Sequence, residues 1–388
     1  MWSMIVSILI WGGNTMKSKV TMILCVLAVG IGLWLGIDSQ SKEKDQKVSK
    51  TLDRKADVIE KTINHMTLEE KVGQMFIVRL PEKDALTAID QYHLGGYILY
   101  ARDFRNHTKE SATSMIKSYQ DNSKIPMLIG VDEEGGTVNR VSLYPAFRNS
   151  PFRSPQEVYK SGGWEMITSD AIEKSKLLRS LGINVNFAPV VDVSENPNDY
   201  IYNRSFGSDA DMTAQYAKKV VKAMHKEHIE PVLKHFPGYG NNVNTHTGIA
   251  HDTRSYEQFE TSDFIPFQEG VKAGANIILV SHNIVHSMDD KYPASLSPKV
   301  HKILRETLSF DGVVVTDDLY MEGITQYVKK EEAAILAVQA GNDLICCTDF
   351  QTQILAVVSA VKDGRISEER INSSVRRILK LKKEMGIL

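Results

Sequence analysis

A chain of 388 residues, 42% of them apolar, can bury a large core, and its length allows either two ordinary domains or one big barrel with insertions. The formal net charge of −2 comes with no basic stripe or aromatic-interleaved patch, so no footprint for nucleic acid is present. Cys25 and the neighbours Cys346 and Cys347 give neither a disulfide framework nor a metal-ligand spacing, and adjacent cysteines in an extended segment read as small buried hydrophobes.

The first fifteen residues are apolar but too short to cross a bilayer, and Met16 is an alternative start. Lys17 and Lys19 then precede an uncharged run over 20–37, which as a helix would rise about 27 Å, close to the minimum for a hydrocarbon core of about 30 Å. No small-residue cleavage site follows, so residues 1–37 are expected to be an uncleaved membrane anchor rather than the leader of a secreted protein. Leu24 stands before Cys25 where lipidation would want small residues. Residues 38–57 are almost wholly polar and cannot offset the entropy of ordering, which makes them a disordered tether. Lysines on both sides of the apolar run compete under the positive-inside rule; the reading taken is a large domain outside the cell, with a cytoplasmic domain as its rival.

The folded domain is expected over 58–388. It opens at Thr67, an N-cap with Glu70 three residues on, the two halves of a capping box. Short apolar runs rich in β-branched residues then recur at 74–80, 95–101, 126–132, 183–193, 230–235, 276–282, 312–318 and 343–347. Segments with helical spacing lie between most of them, among them 170–180, 212–228 and 330–340. Strands apolar on both faces and separated by helices imply a parallel sheet, and eight in succession predict a closed (β/α)8 barrel of the TIM type. A doubly wound sheet would want a glycine-rich turn after the first strand, where Arg79-Leu80-Pro81-Glu82 stands instead. A last helix over 367–385 places Glu368 and Glu369 in its first turn and Lys380, Lys382 and Lys383 near its end, as the macrodipole favours.

In such a barrel the residues that close each strand converge on one face. Here they are Asp132, Asp192, Lys234 with His235, His282, and Asp317 with Asp318, a ring suited to a small polyhydroxylated ligand. The connection over 234–252 is dense in titratable groups: Lys234, His235, His246, His251 and Asp252, among prolines and glycines that forbid helix. Singly, each has a plainer reading. Asp192 is equally a turn or cap residue, and His282 reads better as a satisfied core histidine. After 313–316, one of Asp317 and Asp318 can cap the next segment and leave the other for chemistry. A zinc site at His246 and His251 lacks a third ligand at sensible spacing.

Five stretches carry a resemblance: Met66-Thr67-Leu68-Glu69-Glu70-Lys71-Val72-Gly73-Gln74-Met75, Asp132-Glu133-Glu134-Gly135-Gly136, Asn203-Arg204-Ser205-Phe206-Gly207, Lys234 to Gly240, and Thr316-Asp317-Asp318-Leu319. In this order they resemble glycoside hydrolase family 3, and the Lys-His-Phe-Pro-Gly loop leading to His246 resembles its β-N-acetylhexosaminidase branch. The resemblance implies an enzyme that removes terminal N-acetylglucosamine, on cell-wall fragments such as muropeptides, with no metal or organic cofactor. By the same resemblance Asp317 is the nucleophile that forms a glycosyl-enzyme, and His246 is the general acid and then the base of a retaining mechanism. Asp132, Arg140, Arg204, Lys234 and His235 match positions that hold the sugar's hydroxyls and acetamido group.

The chain also departs from the pattern. Asn244 stands where an aspartate would pair with the catalytic histidine, so it supplies no charge to the imidazole. Three consequences compete: a slow enzyme, another carboxylate such as Asp252 in its place, or phosphate as acceptor, which would make a phosphorylase. A membrane-tethered glycan-binding protein that keeps the pocket without turnover is the reading from another class. Thr137 stands where many relatives have arginine and Tyr239 where many have histidine.

Overall fold

The computed structural model describes residues 58–245 and 247–388. The expected anchor over 1–37, the tether over 38–57 and the expected acid/base His246 therefore lie outside the described residues. The chain falls into two units, Met1–Thr62 and Ile63–Leu388. In the first, residues 58–62 are helical. Among the described residues no helix is long and apolar enough to cross a membrane.

In the second unit the capping box forms as the sequence predicts. The Thr67 hydroxyl accepts the Glu70 N–H at 3.1 Å, and the Glu70 carboxylate accepts the Thr67 N–H at 2.9 Å, starting the helix Leu68–Gln74. That helix delivers the chain into β1 (Phe76–Arg79), followed by β2 (Gly96–Leu99), β3 (Leu128–Val131), β4 (Val185–Asn186), β5 (Glu230–Phe236), β6 (His251–Asp252), β7 (Ile277–Val280), β8 (Ile284–Val285), β9 (Val313–Thr316) and β10 (Ile345–Cys347). Eight of these form one sheet in the order β10-β1-β2-β3-β4-β5-β7-β9, every pairing parallel. The circle closes between β9 and β10. Asp343 and Leu344 donate to the Val314 carbonyl at 2.8 and 3.0 Å, and Thr316 donates to the Leu344 carbonyl at 3.2 Å. Strands β6 and β8 make a separate two-stranded ribbon.

The apolar runs predict this barrel because its strands are buried on both faces. All four residues of β7 (IILV) and of β9 (VVVT) are buried. Outside β5 and β7, the helices Ala210–Lys226 and Phe264–Lys272 close one cluster in which Ala217, Val221, Phe264 and Phe267 join Leu233, Phe236 and Ile278. Cys346 and Cys347 are buried and unbridged in β10, as expected.

Three elements differ from the sequence reading. The run at 183–193 becomes a strand of only two residues, because Pro189 has no N–H to give to a ladder. Past it the chain is still held to β5, through Val232 donating to the Ala188 carbonyl and Val191 to the Lys234 carbonyl. The helix expected at 170–180 begins at Pro155, capped by Ser154, and is interrupted by non-helical backbone at Gly162 and Gly163. In the last helix, Glu368–Glu384, Lys382 does not decorate a helix end. It is fully buried, its Nζ donates to Gln74 Oε1 at 2.8 Å and the Gly95 carbonyl at 3.1 Å, and burial pushes its pKa down to about 7.

Candidate active site

At the C-terminal ends of the strands the barrel opens into a cavity of about 690 Å³. Of the residues the sequence singles out, Asp132, Arg140, Arg204, Lys234, His235 and Asp317 all line it. Asn244 is not one of its lining residues, and its carbonyl instead accepts the Thr247 N–H and hydroxyl at 3.2 and 3.1 Å.

A chain of charges forms one wall. Lys234, 2% exposed, sits between Asp132 Oδ1 at 2.7 Å and Glu134 Oε1 at 2.6 Å. Arg204 closes on Glu134 through two parallel bonds, Nη2 to Oε1 at 2.7 Å and Nε to Oε2 at 3.0 Å, the bidentate fork that arginine forms with a carboxylate. Burial alone would raise the Glu134 pKa; the cations of Arg204 and Lys234 outweigh it and hold the carboxyl well below its ordinary value. For Lys234 the same contest ends with the ammonium favoured, since Asp132 and Glu134 offset desolvation and the nearby Arg204. Within this wall Glu134, Lys234 and Arg204 are each held in their charged forms by one another. The motif Asp132-Glu133-Glu134 offers three acids after β3, but the sequence does not say which is which. Glu133 shapes the loop instead: fully buried, it accepts the N–H groups of Arg140, Val141 and Ser142 and the Ser142 hydroxyl.

His235 continues the chain. Its Nδ1 lies 2.7 Å from Asp192 Oδ2, and since a carboxylate only accepts, Nδ1 carries the proton. Nε2 is then the acceptor that meets Arg204 Nη2 at 3.3 Å. Asp192, buried, also accepts the backbone N–H of His235 and, at 2.7 Å, that of Tyr239. Asp192 is not one of the cavity's lining residues; it fixes the tautomer of one site residue and, as the turn reading expects, the turn that follows.

On the far wall, Asp317 and Asp318 part company. The Asp318 carboxylate accepts the N–H groups of Tyr320 and Thr348 at 3.0 and 3.2 Å and the Thr348 hydroxyl at 2.7 Å, tying the loop after β9 to the loop after β10. Burial is the largest influence on it and raises its pKa. Asp317 Oδ1 accepts the Asp318 N–H at 2.9 Å, and its side chain faces the cavity wall. His282 is the satisfied core histidine that the sequence favours: Nε2 donates to the Asp318 carbonyl at 3.1 Å and Nδ1 meets Ser295 Oγ at 2.8 Å.

The loop between β5 and β6 is anchored at several points. The hydroxyl of Tyr239, buried, accepts the Thr245 N–H at 2.9 Å, immediately before position 246. Burial pushes its pKa up to about 12, so it stays neutral. Asp252 has a structural task rather than an open carboxylate: its oxygens accept from Asn242 at 2.6 Å and from Arg254 at 2.8 to 3.1 Å. Arg254 also grips Asp263 at 2.9 and 3.0 Å and the Gly238 carbonyl at 2.8 Å. Gly238 has φ +129°, and a Cβ there would lie 2.1 Å from Asp263 Oδ1, so this turn requires glycine. The sequence carries no sign of this clasp, because its members belong to no recognisable motif. Among the described residues no group of three histidine, cysteine or acidic side chains is arranged to hold a metal.

A closed parallel barrel with a polar, carboxylate-bearing mouth at the C-terminal ends of its strands is the layout on which TIM-barrel enzymes build their active sites. The model of the glycosyl hydrolase family 3 N terminal domain matches residues 67–381, and the chain belongs to that family. It is 32% identical over 325 residues to beta-hexosaminidase A of Pseudoalteromonas piscicida, covering 76% of this chain and 54% of that one. To a beta-hexosaminidase of Tolumonas auensis it is 31% identical over 277 residues, 70% of this chain and 80% of the relative. The structure of a glycoside hydrolase family 3 beta-N-acetylglucosaminidase from Paenibacillus sp. str. FPU-7 superposes with a TM-score of 0.78 at 31% identity, over 83% of this chain and 63% of that one. The chain thus spans little more than half of the first relative and under two thirds of that solved structure.

Proposed function

We propose that the chain is an exo-acting β-N-acetylhexosaminidase that removes terminal N-acetylglucosamine by a retaining, two-step mechanism. The observation that carries this reading is the gathering of Asp317 with Asp132, Lys234, Arg204 and His235 around one cavity. The names of the relatives favour the amino sugar as the unit held there.

In this reading Asp132, Lys234, Arg140 and Arg204 present acceptors and donors to the sugar's hydroxyls and acetamido group, and Asp192 keeps His235 in the tautomer whose Nε2 accepts. Asp317 attacks the anomeric carbon as the glycosidic C–O bond breaks, and His246 gives its proton to the leaving oxygen. His246 then takes a proton from water, which attacks the same carbon and releases Asp317. The Asp318 N–H on Asp317 Oδ1 holds the nucleophile in one orientation. Tyr239 holds the backbone of Thr245, the residue before His246 in the chain.

The natural substrate is proposed to be a wall-derived fragment. Residues 1–37 are proposed to attach the enzyme to the membrane, and 38–57 to hold the catalytic domain outside the cell, on the strength of the apolar run over 20–37 and the polar composition after it. The test is hydrolysis of a chromogenic N-acetyl-β-glucosaminide, with the anomer of the released sugar read by NMR. Release of the β-anomer, abolished in Asp317→Ala, is expected. Sugar binding by an inert wild type that Asn244→Asp fails to revive would instead make it a glycan-binding protein.

A further inference from the structure

The helix Ala210–Lys226 carries the chain from the mouth end of β4 back to the start of β5, so its first turn lies toward the mouth of the barrel and its last turn toward the base. Lys218, Lys222 and Lys226 are exposed along it at intervals of four residues, with Lys219 beside them. That interval puts the three in one row, about 6 Å apart along the helix axis. Residues of this helix and of the helix Phe264–Lys272 line a concavity of about 600 Å³, which takes in Lys218, Lys219, Lys222, Asp211, Gln215 and Glu269.

Elsewhere on the surface a lysine at this spacing faces an acid: Lys117 meets Asp121 at 2.6 Å, and Lys302 meets Glu306 at 3.8 Å. Here lysine faces lysine, and like charges four residues apart cost a helix stability. The macrodipole rewards His225 and Lys226 in the last turn, but its reach does not extend to Lys218 and Lys219 in mid-helix. Glu269 is already shared between Lys218 at 3.5 Å and Lys272 at 2.8 Å, and Asp211 sits in the first turn, where the dipole favours it. Lys219 Nζ lies 5.7 Å from the centre of the Trp164 ring, and Lys222 forms no ion pair among the described residues. The row therefore carries more positive charge than its surroundings offset.

A concave row of ammonium groups takes a chain better than a plane, so a strand of polyanion fits it and a flat bilayer surface does not. Lysine is a compact point charge suited to phosphate, whereas a planar carboxylate is matched by the arginine fork, and none of the described lining residues is an arginine. None of them is aromatic either, and Trp164 beside the concavity is already stacked on Phe206 at 5.5 Å and 18°, which leaves no platform built for a nucleobase.

We propose that this flank of the barrel binds a linear phosphodiester polymer of polyol or sugar units, its phosphates paired with Lys218, Lys219 and Lys222 and the row continued by Lys226. The polymer runs down the outside of the barrel, away from the cavity, and holds the domain without obstructing the mouth.

The test is fluorescence anisotropy of a labelled poly(glycerol phosphate) oligomer titrated with the full chain in neutral detergent, at several salt concentrations. Wild type is expected to bind, with log K falling against log salt at a slope of about −2, from about −0.7 for each of three lysines. Lys218→Gln/Lys219→Gln/Lys222→Gln is expected to bind about tenfold or more weaker, at up to about fivefold per exposed ion pair, and to turn over a small neutral chromogenic glycoside at the wild-type rate. Lys222→Gln alone should reduce the slope by about 0.7 and decides the matter if the triple variant does not fold, while Lys222→Arg keeps the wild-type affinity. An oligomer that fails to bind, or binds wild type and variants alike, overturns the proposal. So do substitutions that weaken binding to vesicles of anionic phospholipid, or to oligothymidylate of equal charge, more than binding to the polymer. Binding is read without turnover, so its outcome is independent of the reaction assigned to the mouth.

Discussion

Glu134 and Asp343 are both buried carboxylates ringed by cations, one beyond the C-terminal end of β3 and the other before the N-terminal end of β10. Around Asp343 stand Arg305 at 2.6 Å, Arg377 at 3.3 Å and Arg370 at 3.7 Å, with the Ser374 hydroxyl at 2.7 Å. Two of the three also donate to the chain's own carbonyls: Arg305 to Phe310 and Gly312, Arg370 to Val338 and Asn342. That cluster fastens two helices to the base of β9 and β10. Around Glu134 the cations are shared with Asp132 and His235 on a wall that opens into the cavity. Clusters of like composition therefore do different things, and what separates them is the end of the barrel on which each stands and whether its charges meet open space.

Substitution at each end of the barrel separates the two roles. Asp317→Ala, at the mouth, is expected to lower hydrolysis on the order of 10³-fold while leaving the melting temperature unchanged. Asp343→Ala, at the base, is expected to do the reverse. It strands three arginines around an empty position and costs about 3–5 kcal/mol by urea unfolding, with KM of the remaining folded enzyme unaltered. A large KM change in Asp343→Ala would erase the distinction drawn above.

Glu134 gives the mouth its own signature in pH. Its folded-state pKa lies below the ordinary 4.5, so its contribution to stability is fully present above about pH 4.5 and is lost as pH falls toward the folded value. Urea midpoints measured from pH 6 down to pH 3 should fall on acidification in wild type and fall less steeply in Glu134→Gln. Asn244→Asp is the smallest of the expected effects: a charge behind the acid/base histidine should raise kcat by about tenfold. An unchanged rate there would mean that the loop orders His246 by other means.

The barrel was legible because β-branched runs buried on both faces leave a strong pattern, and the strand-end rule then named Asp132, Lys234, His235 and Asp317. What escaped was whatever depends on partners far along the chain. Glu134 appears in a motif, yet only its contacts with Arg204 and Lys234, at positions 70 and 100 residues away, give it a role. Arg79 reads as the tail of a strand until Tyr100 and Arg140 are placed beside it. The Arg254 clasp on Asp252 and Asp263 has no periodicity or spacing to announce it. Lys382 shows the converse, a lysine at a helix end whose surroundings turn out to be core.

In the proposed mechanism Asp317 is the residue that becomes bonded to the sugar. Incubating the protein with a 5-fluoro N-acetylglucosaminyl fluoride, which forms the glycosyl-enzyme faster than water releases it, and mapping the mass increase by peptide sequencing tests this directly. One added sugar located on Asp317 is the predicted result; label on Asp318 or on another carboxylate, with Asp317 unmodified, would contradict it.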